Sequence, residues 1–365
     1  MRVIVVGAGI LGLGVAYNLA VRGTEVLVLE RQYPGSGLSV RAIGAVHSQW
    51  DNEHDIKLAM KSRDLLSQLS GELNFNIGFR RGGYLMVATN EEQLKRLEKN
   101  ASLQHSLGLE TIFLSSDEIG ARYPFLDVSS IMGGTFSRGD GVVHPFSLEF
   151  GYWSGLDGQG GKMRKSTTVK SLQVEGPRRV RAVETDRGVY RADAFVIAAG
   201  AGTGEILRSV GLQLPTELVR HEMLATEPLR FFLKPMIQVN PNGMHIAQSL
   251  RGEILCQIPR ADGQVRKGTN STLGFLEEAA SELTRFLPSL RQVKVLRPWV
   301  GLVETTRDSE PICGRLGYDN LWLAFADSGK GIMFAPALGE LMAEAVISGT
   351  SAPELLPYAP DRLLT

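Results

Sequence analysis

The chain begins with an apolar run, Arg2 to Val6, that enters Gly7-Ala8-Gly9-Ile10-Leu11-Gly12, and a second apolar run, Glu25 to Leu29, closes on Glu30. Between them lies an amphipathic segment with Leu13, Ala16, Tyr17, Leu19 and Ala20 at its apolar positions, stopped by Gly23. Strand, glycines, helix, strand and terminal acid in this order form a dinucleotide-binding βαβ unit. Gly7 permits the tight turn out of the strand, Gly9 lets bare backbone approach a pyrophosphate, and Gly12 lets helix and strand pack closely. Phosphate then meets the unpaired N–H groups and positive dipole end of the helix. The Glu30 carboxylate accepts hydrogen bonds from ribose hydroxyls and disfavours a 2′-phosphate. The glycines and the charge at Arg22 argue against reading the segment as a signal peptide.

With 365 residues the chain can bury two cores, so two domains are expected. Lysine plus arginine equals aspartate plus glutamate at 39 each, which removes the electrostatic case for a nucleic-acid partner. No run of about eighteen apolar residues is evident, so no membrane span is expected. Two cysteines, Cys256 and Cys313, suit a reducing cytoplasm better than a disulfide framework. Neither they nor the six scattered histidines have metal-ligand spacing, and no metal is expected.

Helical periodicity is plain at residues 55–69, 91–107 and 273–287, the last stopped by Pro288. Residues 111–114, 131–136, 180–185, 194–198, 218–225, 244–248 and 253–258 read as strands. Gly133-Gly134 and the segment from Gly139 to Gly141 read as turns, and the segment from Gly155 to Gly161 as a glycine-rich surface loop. Two further clusters carry chemistry. The strand from Ala194 to Ala198 ends in Ala199-Gly200, the small residues a sheet needs where a cofactor crosses its carboxyl edge. Near the C-terminus, Leu321 to Ala326 leads through Asp327-Ser328-Gly329-Lys330-Gly331-Ile332 into a helix from about Met333 to Ile347. Its N-terminal donors can stabilise negative charge on a reduced ring.

Taken together, GAGILG, the terminal acid, IAAGAGTGEIL (197–207), RPWVGLVETTRDSEPICG (297–314) and DSGKGIMFAPALGELMAEAVISG (327–349) resemble the D-amino-acid oxidase superfamily. Within it, the chain resembles glycine and sarcosine oxidases and the β subunits of dye-linked L-proline dehydrogenase. The resemblance covers nearly the whole chain. It implies an α/β architecture, in which a doubly wound Rossmann-like domain holds extended FAD and a substrate domain built on an antiparallel sheet closes over the flavin. The FAD domain would comprise residues 1–71, 138–214 and 298–365, and the substrate domain residues 72–137 and 215–297. By the same resemblance Gly7, Gly9, Ile10, Leu11 and Gly12 face the pyrophosphate, Glu30 the ribose, Arg31 the adenine end, and Val169 the adenine through its backbone. Ser39, Arg41 and Ala42 line the flavin, Ala199 and Gly200 contact the cofactor from the middle part of the FAD domain, and Gly329, Lys330, Gly331 and Ile332 stand at the pyrimidine edge.

The substrate end departs from the family. Sarcosine- and proline-oxidising members carry a carboxylate-binding arginine where this chain has His47; glycine oxidase takes its arginine from the place of Val303, and monomeric sarcosine oxidase has a lysine near Met333. The bidentate clamp for an amino-acid carboxylate is thus absent from all three places, leaving Arg80, Arg81 or Lys330 to supply a charge. His47 is therefore expected at the substrate, as an imidazolium that binds an anion or as a base, with Lys330 as the second catalytic candidate. The stretch Ile43 to His47 also resembles that of L-2-hydroxyglutarate dehydrogenases, which oxidise an alcohol and need a base. The strand from Glu253 to Gln257 lacks the lysine that activates oxygen in sarcosine oxidases. His144 falls near the place where the sarcosine oxidase β subunit links FMN, although a turn histidine beside Pro145 is the plainer reading. The resemblance thus implies an oxidoreductase for a small amino or imino acid, passing electrons to a dye, quinone, carrier protein or oxygen. A 2-hydroxy-acid dehydrogenase and an FAD-binding subunit of a heteromeric dehydrogenase remain as alternatives.

Overall fold

In the computed structural model, which describes residues 1–240, 243–260, 270–325 and 328–363, the apolar runs become the centre of a six-stranded sheet. Its order is Ile312–Arg315, Leu321–Phe325, Ala194–Ile197, Arg2–Val6, Glu25–Leu29 and Lys162–Arg164, all parallel except the first. The central strands are apolar at nearly every position because both faces are covered. Val3, Val5, Val26 and Val28 meet the helices Ile10–Val21, Glu53–Glu72, Pro145–Gly158 and Gly331–Ser348. Ile4, Val6, Leu27 and Leu29 point the other way. There the cover is a three-stranded antiparallel sheet, Val169–Glu175, Arg179–Thr185 and Gly188–Arg191, with the helix Thr203–Arg208.

The second sheet has eight strands in the order Val295–Thr306, Thr216–Pro228, Glu253–Arg260, Met244–Gln248, Met236–Val239, Tyr84–Ala88, Gly133–Ser137 and Thr111–Ser115. Every neighbouring pair is antiparallel save Met236–Val239 with Tyr84–Ala88. The boundary read between residues 297 and 298 falls inside Val295–Thr306, which pairs with Thr216–Pro228 along its length. Alternation splits this sheet into an apolar face and a polar one. Leu85, Val87, Ile237, Ile246 and Cys256 pack with the helix Leu273–Phe286, while Tyr84, Gln238, His245 and Gln257 occupy the opposite parity.

Three sequence expectations change. The segment from Gly155 to Gly161 is a loop only at its end, because Pro145–Gly158 is one helix. Gly155 is compatible with it because a side chain there would meet Leu73 at 2.6 Å and Tyr17 at 2.9 Å. Gly133 and Gly134 belong to a strand, not a turn; a side chain on Gly134 would lie 2.3 Å from the Met86 carbonyl oxygen. The helix Gly331–Ser348 has the length and composition of a membrane span, contrary to expectation, yet 78% of it is buried within the fold. Ala326 and Asp327, part of the C-terminal motif, lie outside the described residues. His144 caps the helix Pro145–Gly158, its Nδ1 accepting the Ser147 N–H at 3.2 Å.

Candidate active site

The glycine turn, the acid and three distant segments converge. Gly7 adopts φ +104°, and a side chain there would lie 2.3 Å from the Ala198 carbonyl oxygen and 3.0 Å from Ala199 Cα. This brings Ala199 and Gly200 against the first strand's end. Gly12 approaches the Gly7 carbonyl just as closely, its ideal Cβ 2.2 Å from that oxygen, while Gly9 faces only Ser39 Oγ at 3.3 Å. Ser39 Oγ accepts the Ile10 N–H at 3.0 Å. Ile10 and Leu11 bury their side chains in the core and offer only backbone. Glu30 accepts the Ala8 N–H at 2.9 Å and the Gln32 N–H at 2.7 Å. Its carbonyl accepts the Thr167 N–H, two residues before Val169, while Arg31 stays exposed. The Arg41 carbonyl receives the Trp299 indole N–H at 3.0 Å, tying this loop to the eight-stranded sheet.

From Ala42 onward the same loop opens on a cavity of about 450 Å³ lined by His47, Gly329, Lys330 and Ile332 and roofed by the polar face of the second sheet. One register row crosses that roof, from Met86 through Gln238 and His245 to Gln257. Tyr84 donates its hydroxyl to Gln238 Oε1 at 3.0 Å, and Gln257 Nε2 donates to His221 Nδ1 at 3.0 Å. Gly329, at φ +84°, sits against His221, whose Cε1 would be 3.6 Å from a Cβ there. A side chain could not enter without strain.

His47 is buried between two rings, with centroids 4.4 Å from Trp50 and 4.6 Å from Tyr84. Burial pushes its pKa down to about 3, helped by the nearby His245 and Lys330. Burial likewise pushes His221 and His245 down to about 4. The expectation of an imidazolium at His47 therefore fails at neutral pH, because too little water reaches the ring to hold its charge.

Lys330 is not a free cation either. Its Nζ donates to Asp55 Oδ2 at 2.5 Å and Glu310 Oε2 at 2.8 Å, and lies 4.6 Å above the Trp50 ring. Tyr358 donates to the other Asp55 oxygen at 2.9 Å. Burial raises Glu310 to about 7 despite Lys330. His54, Asp55 and Glu310 are close enough together to hold a metal, but the ammonium already sits on both carboxylates. Arg80 donates instead to the Gln248 carbonyl at 2.7 Å and covers Phe231, and Arg81 is exposed; neither lines the cavity. Motif reading missed His221, His245, Tyr84, Gln257, Asp55 and Glu310. The one available signal was polar residues inside apolar strands, such as His245 between Met244 and Ile246.

A family model described as DAO, FAD dependent oxidoreductase, matches residues 2–345. The chain belongs to this DAO family. The sarcosine oxidase subunit beta of Rhizobium meliloti is 28% identical over 371 residues, spanning 99% of this chain and 88% of that protein. The glycine oxidase of Geobacillus kaustophilus is 26% identical over 377 residues, 99% of this chain and 96% of that protein. Among solved structures, L-proline dehydrogenase from P. horikoshii superposes with a TM-score of 0.94 at 28% identity, covering 99% of this chain and 97% of that one. This DAO-family chain is accordingly an FAD-dependent oxidoreductase. Its residues fit the cofactor: Gly9 brings no side chain to the helix start, Ser39 holds only the Ile10 N–H of the first turn, and Glu30 lies nearby, which together leave a cradle for a dinucleotide.

Proposed function

We propose that the enzyme oxidises a C–N bond of a small amino or imino acid, removing hydride from the carbon that bears nitrogen and leaving an imine for water to hydrolyse. FAD supplies the hydride acceptor. FAD contacts are assigned to Gly7, Gly9 to Gly12, Glu30, Ser39, Arg41, Val169, Ala199-Gly200 and Gly329 to Ile332. The observation that carries this reading is the charge state of the cavity's inner wall. One ammonium faces two carboxyl groups there, so the cluster is neutral or negative whichever way Glu310 titrates. Such a wall favours the positive charge that develops on nitrogen as hydride leaves a neutral amine, and it opposes an unpaired anion. Three histidines with depressed pKa values are weak bases. Alcohol oxidation needs a base; an amine that has lost its proton does not. The 2-hydroxy-acid reading thereby loses the residue that motivated it.

A role within a larger assembly has one observation in its favour. Phe146 and Phe150, one turn apart on the helix Pro145–Gly158, are 53% and 47% exposed. Size-exclusion with and without co-expressed neighbouring proteins tests it. For the reaction itself, small amino, imino and 2-hydroxy acids are added in turn to the anaerobic flavoprotein while its oxidised absorbance is followed. Bleaching by amines is expected. Bleaching by hydroxy acids alone overturns the proposal.

A further inference from the structure

The absence of a carboxylate clamp deep in the cavity raises the question of where an acidic substrate is held. Among the described residues the inner wall has no uncompensated cation: Lys330 is saturated by Asp55 and Glu310, and the three histidines are neutral. A carboxylate placed there would lose its hydration without gaining a partner. The rim of the same cavity is different. It is lined by Arg96 and Asn100, one turn apart on the helix Glu91–Ser106, with the buried Leu97 packed under them near Ile43 and Met86. Arg96 is exposed and makes no ion pair or hydrogen bond among the described residues. A guanidinium presents a planar fork of donors that matches a carboxylate bidentately, and an amide on the same helix face adds a further donor. The opposite charge at the rim, Asp308, is already held by Arg362 at 2.7 Å, leaving Asp51 as the free acid.

We propose that Arg96, assisted by Asn100, binds the substrate carboxylate at the rim of the cavity, so that preferred substrates carry it several bonds from the C–N bond that is oxidised. The substrate class is N-alkylated β-, γ- or δ-amino acids, in preference to sarcosine or proline. This rests on the amine-oxidising reading above, and it assigns specificity to a residue that none of the family motifs includes. The amine end lies inward beside the neutral histidines, and the acid end faces solvent, where a partly hydrated ion pair forms at little desolvation cost.

The test compares sarcosine, N-methyl-β-alanine, 4-methylaminobutanoate and the carboxylate-free N-methylbutylamine as anaerobic reductants of the flavoprotein. Wild type, Arg96→Gln, Arg96→Lys and Asp51→Asn are used; both positions are on the surface, so folding is preserved. For 4-methylaminobutanoate, Arg96→Gln is expected to raise the apparent Kd about threefold to tenfold with little change in the limiting reduction rate. N-methylbutylamine is unaffected, Arg96→Lys restores part of the affinity, and Asp51→Asn does not weaken it. Butanoate, which cannot react, should perturb the flavin spectrum of wild type and not of Arg96→Gln. Equal Kd values in wild type and Arg96→Gln, or tightest binding of sarcosine, overturn the inference while leaving amine oxidation standing. Reduction by hydroxy acids and by no amine removes the underlying reading, and the butanoate titration still decides whether Arg96 binds a carboxylate.

Discussion

At the scale of single residues, the Lys330 cluster shows what motif reading can and cannot reach. Lys330 is recognisable from its glycine-flanked position at the start of the last helix. Its partners are not, since Asp55 is 275 positions away and only the folded chain brings them together. His47 is similar: its place in the loop is legible, but the two rings that exclude water from it, Trp50 and Tyr84, come from an adjoining loop and another sheet. The energetic consequence of the cluster is specific. Replacing Lys330 by Met leaves Asp55 and Glu310 side by side in a buried site without a counter-charge, which costs about 3–5 kcal/mol. Urea unfolding at pH 8 should show that loss. The penalty should shrink on adding Asp55→Asn and Glu310→Gln, which remove the orphaned charges. A Lys330→Met protein as stable as wild type would mean that the ammonium contributes no net stability.

At the scale of elements, the βαβ unit was legible because its glycines, apolar period and terminal acid all point to one local structure. The helix Pro145–Gly158 was not, because glycine has poor helix propensity and the compensation is tertiary: Gly151 and Gly155 leave room for Leu73, Phe75 and Tyr17. The eight-stranded sheet's polar face also escaped notice, since it depends on register between strands far apart in sequence. The same close packing joins the two helices whose N-termini are proposed to serve the cofactor site. Ile10–Val21 and Gly331–Ser348 cross at Gly14 and Gly339, where a Cβ on Gly339 would meet the Gly14 carbonyl carbon at 2.8 Å. The obstacle is backbone, which cannot rotate aside. Gly339→Ala is therefore expected to lower stability by about 1–3 kcal/mol despite alanine's better helix propensity. Because the crossing sets one helix start relative to the other, FAD affinity should weaken several-fold as well. Fluorescence titration of flavin-free protein measures this, and unchanged affinity with lowered stability would separate the crossing from the cofactor site.

At the scale of the whole molecule, buried groups of opposite kind give the flavin-free protein a stability optimum. His47, His221 and His245 have folded pKa values of about 3, 4 and 4, below the ordinary 6.5. Their contribution is complete above pH 6.5 and is lost as pH falls, because the unfolded chain takes up protons that the folded one refuses. Two glutamates act in reverse. Glu310 is raised to about 7, and Glu149, whose carboxyl oxygens are buried, is raised by burial to about 8 despite the Gly35 backbone N–H. For them the folded chain keeps protons that the unfolded one has released, so their contribution is complete below 4.5 and is lost as pH rises toward 7 and 8. Each proton is worth about 1.4 kcal/mol per pH unit. Between pH 4.5 and 6.5 these histidines and His144, which burial also lowers, outweigh the two glutamates and Asp140, which burial raises, so stability rises with pH; above 6.5 the raised acids act and stability falls. Melting temperatures of flavin-free protein should therefore peak near pH 6.5. In Glu149→Gln/Glu310→Gln the fall between 6.5 and 8 should disappear and the rise below 6.5 should become steeper. Profiles that coincide for the two proteins would show that neither glutamate is protonated in the fold at neutral pH, and the inner wall of the cavity would then carry a permanent negative charge.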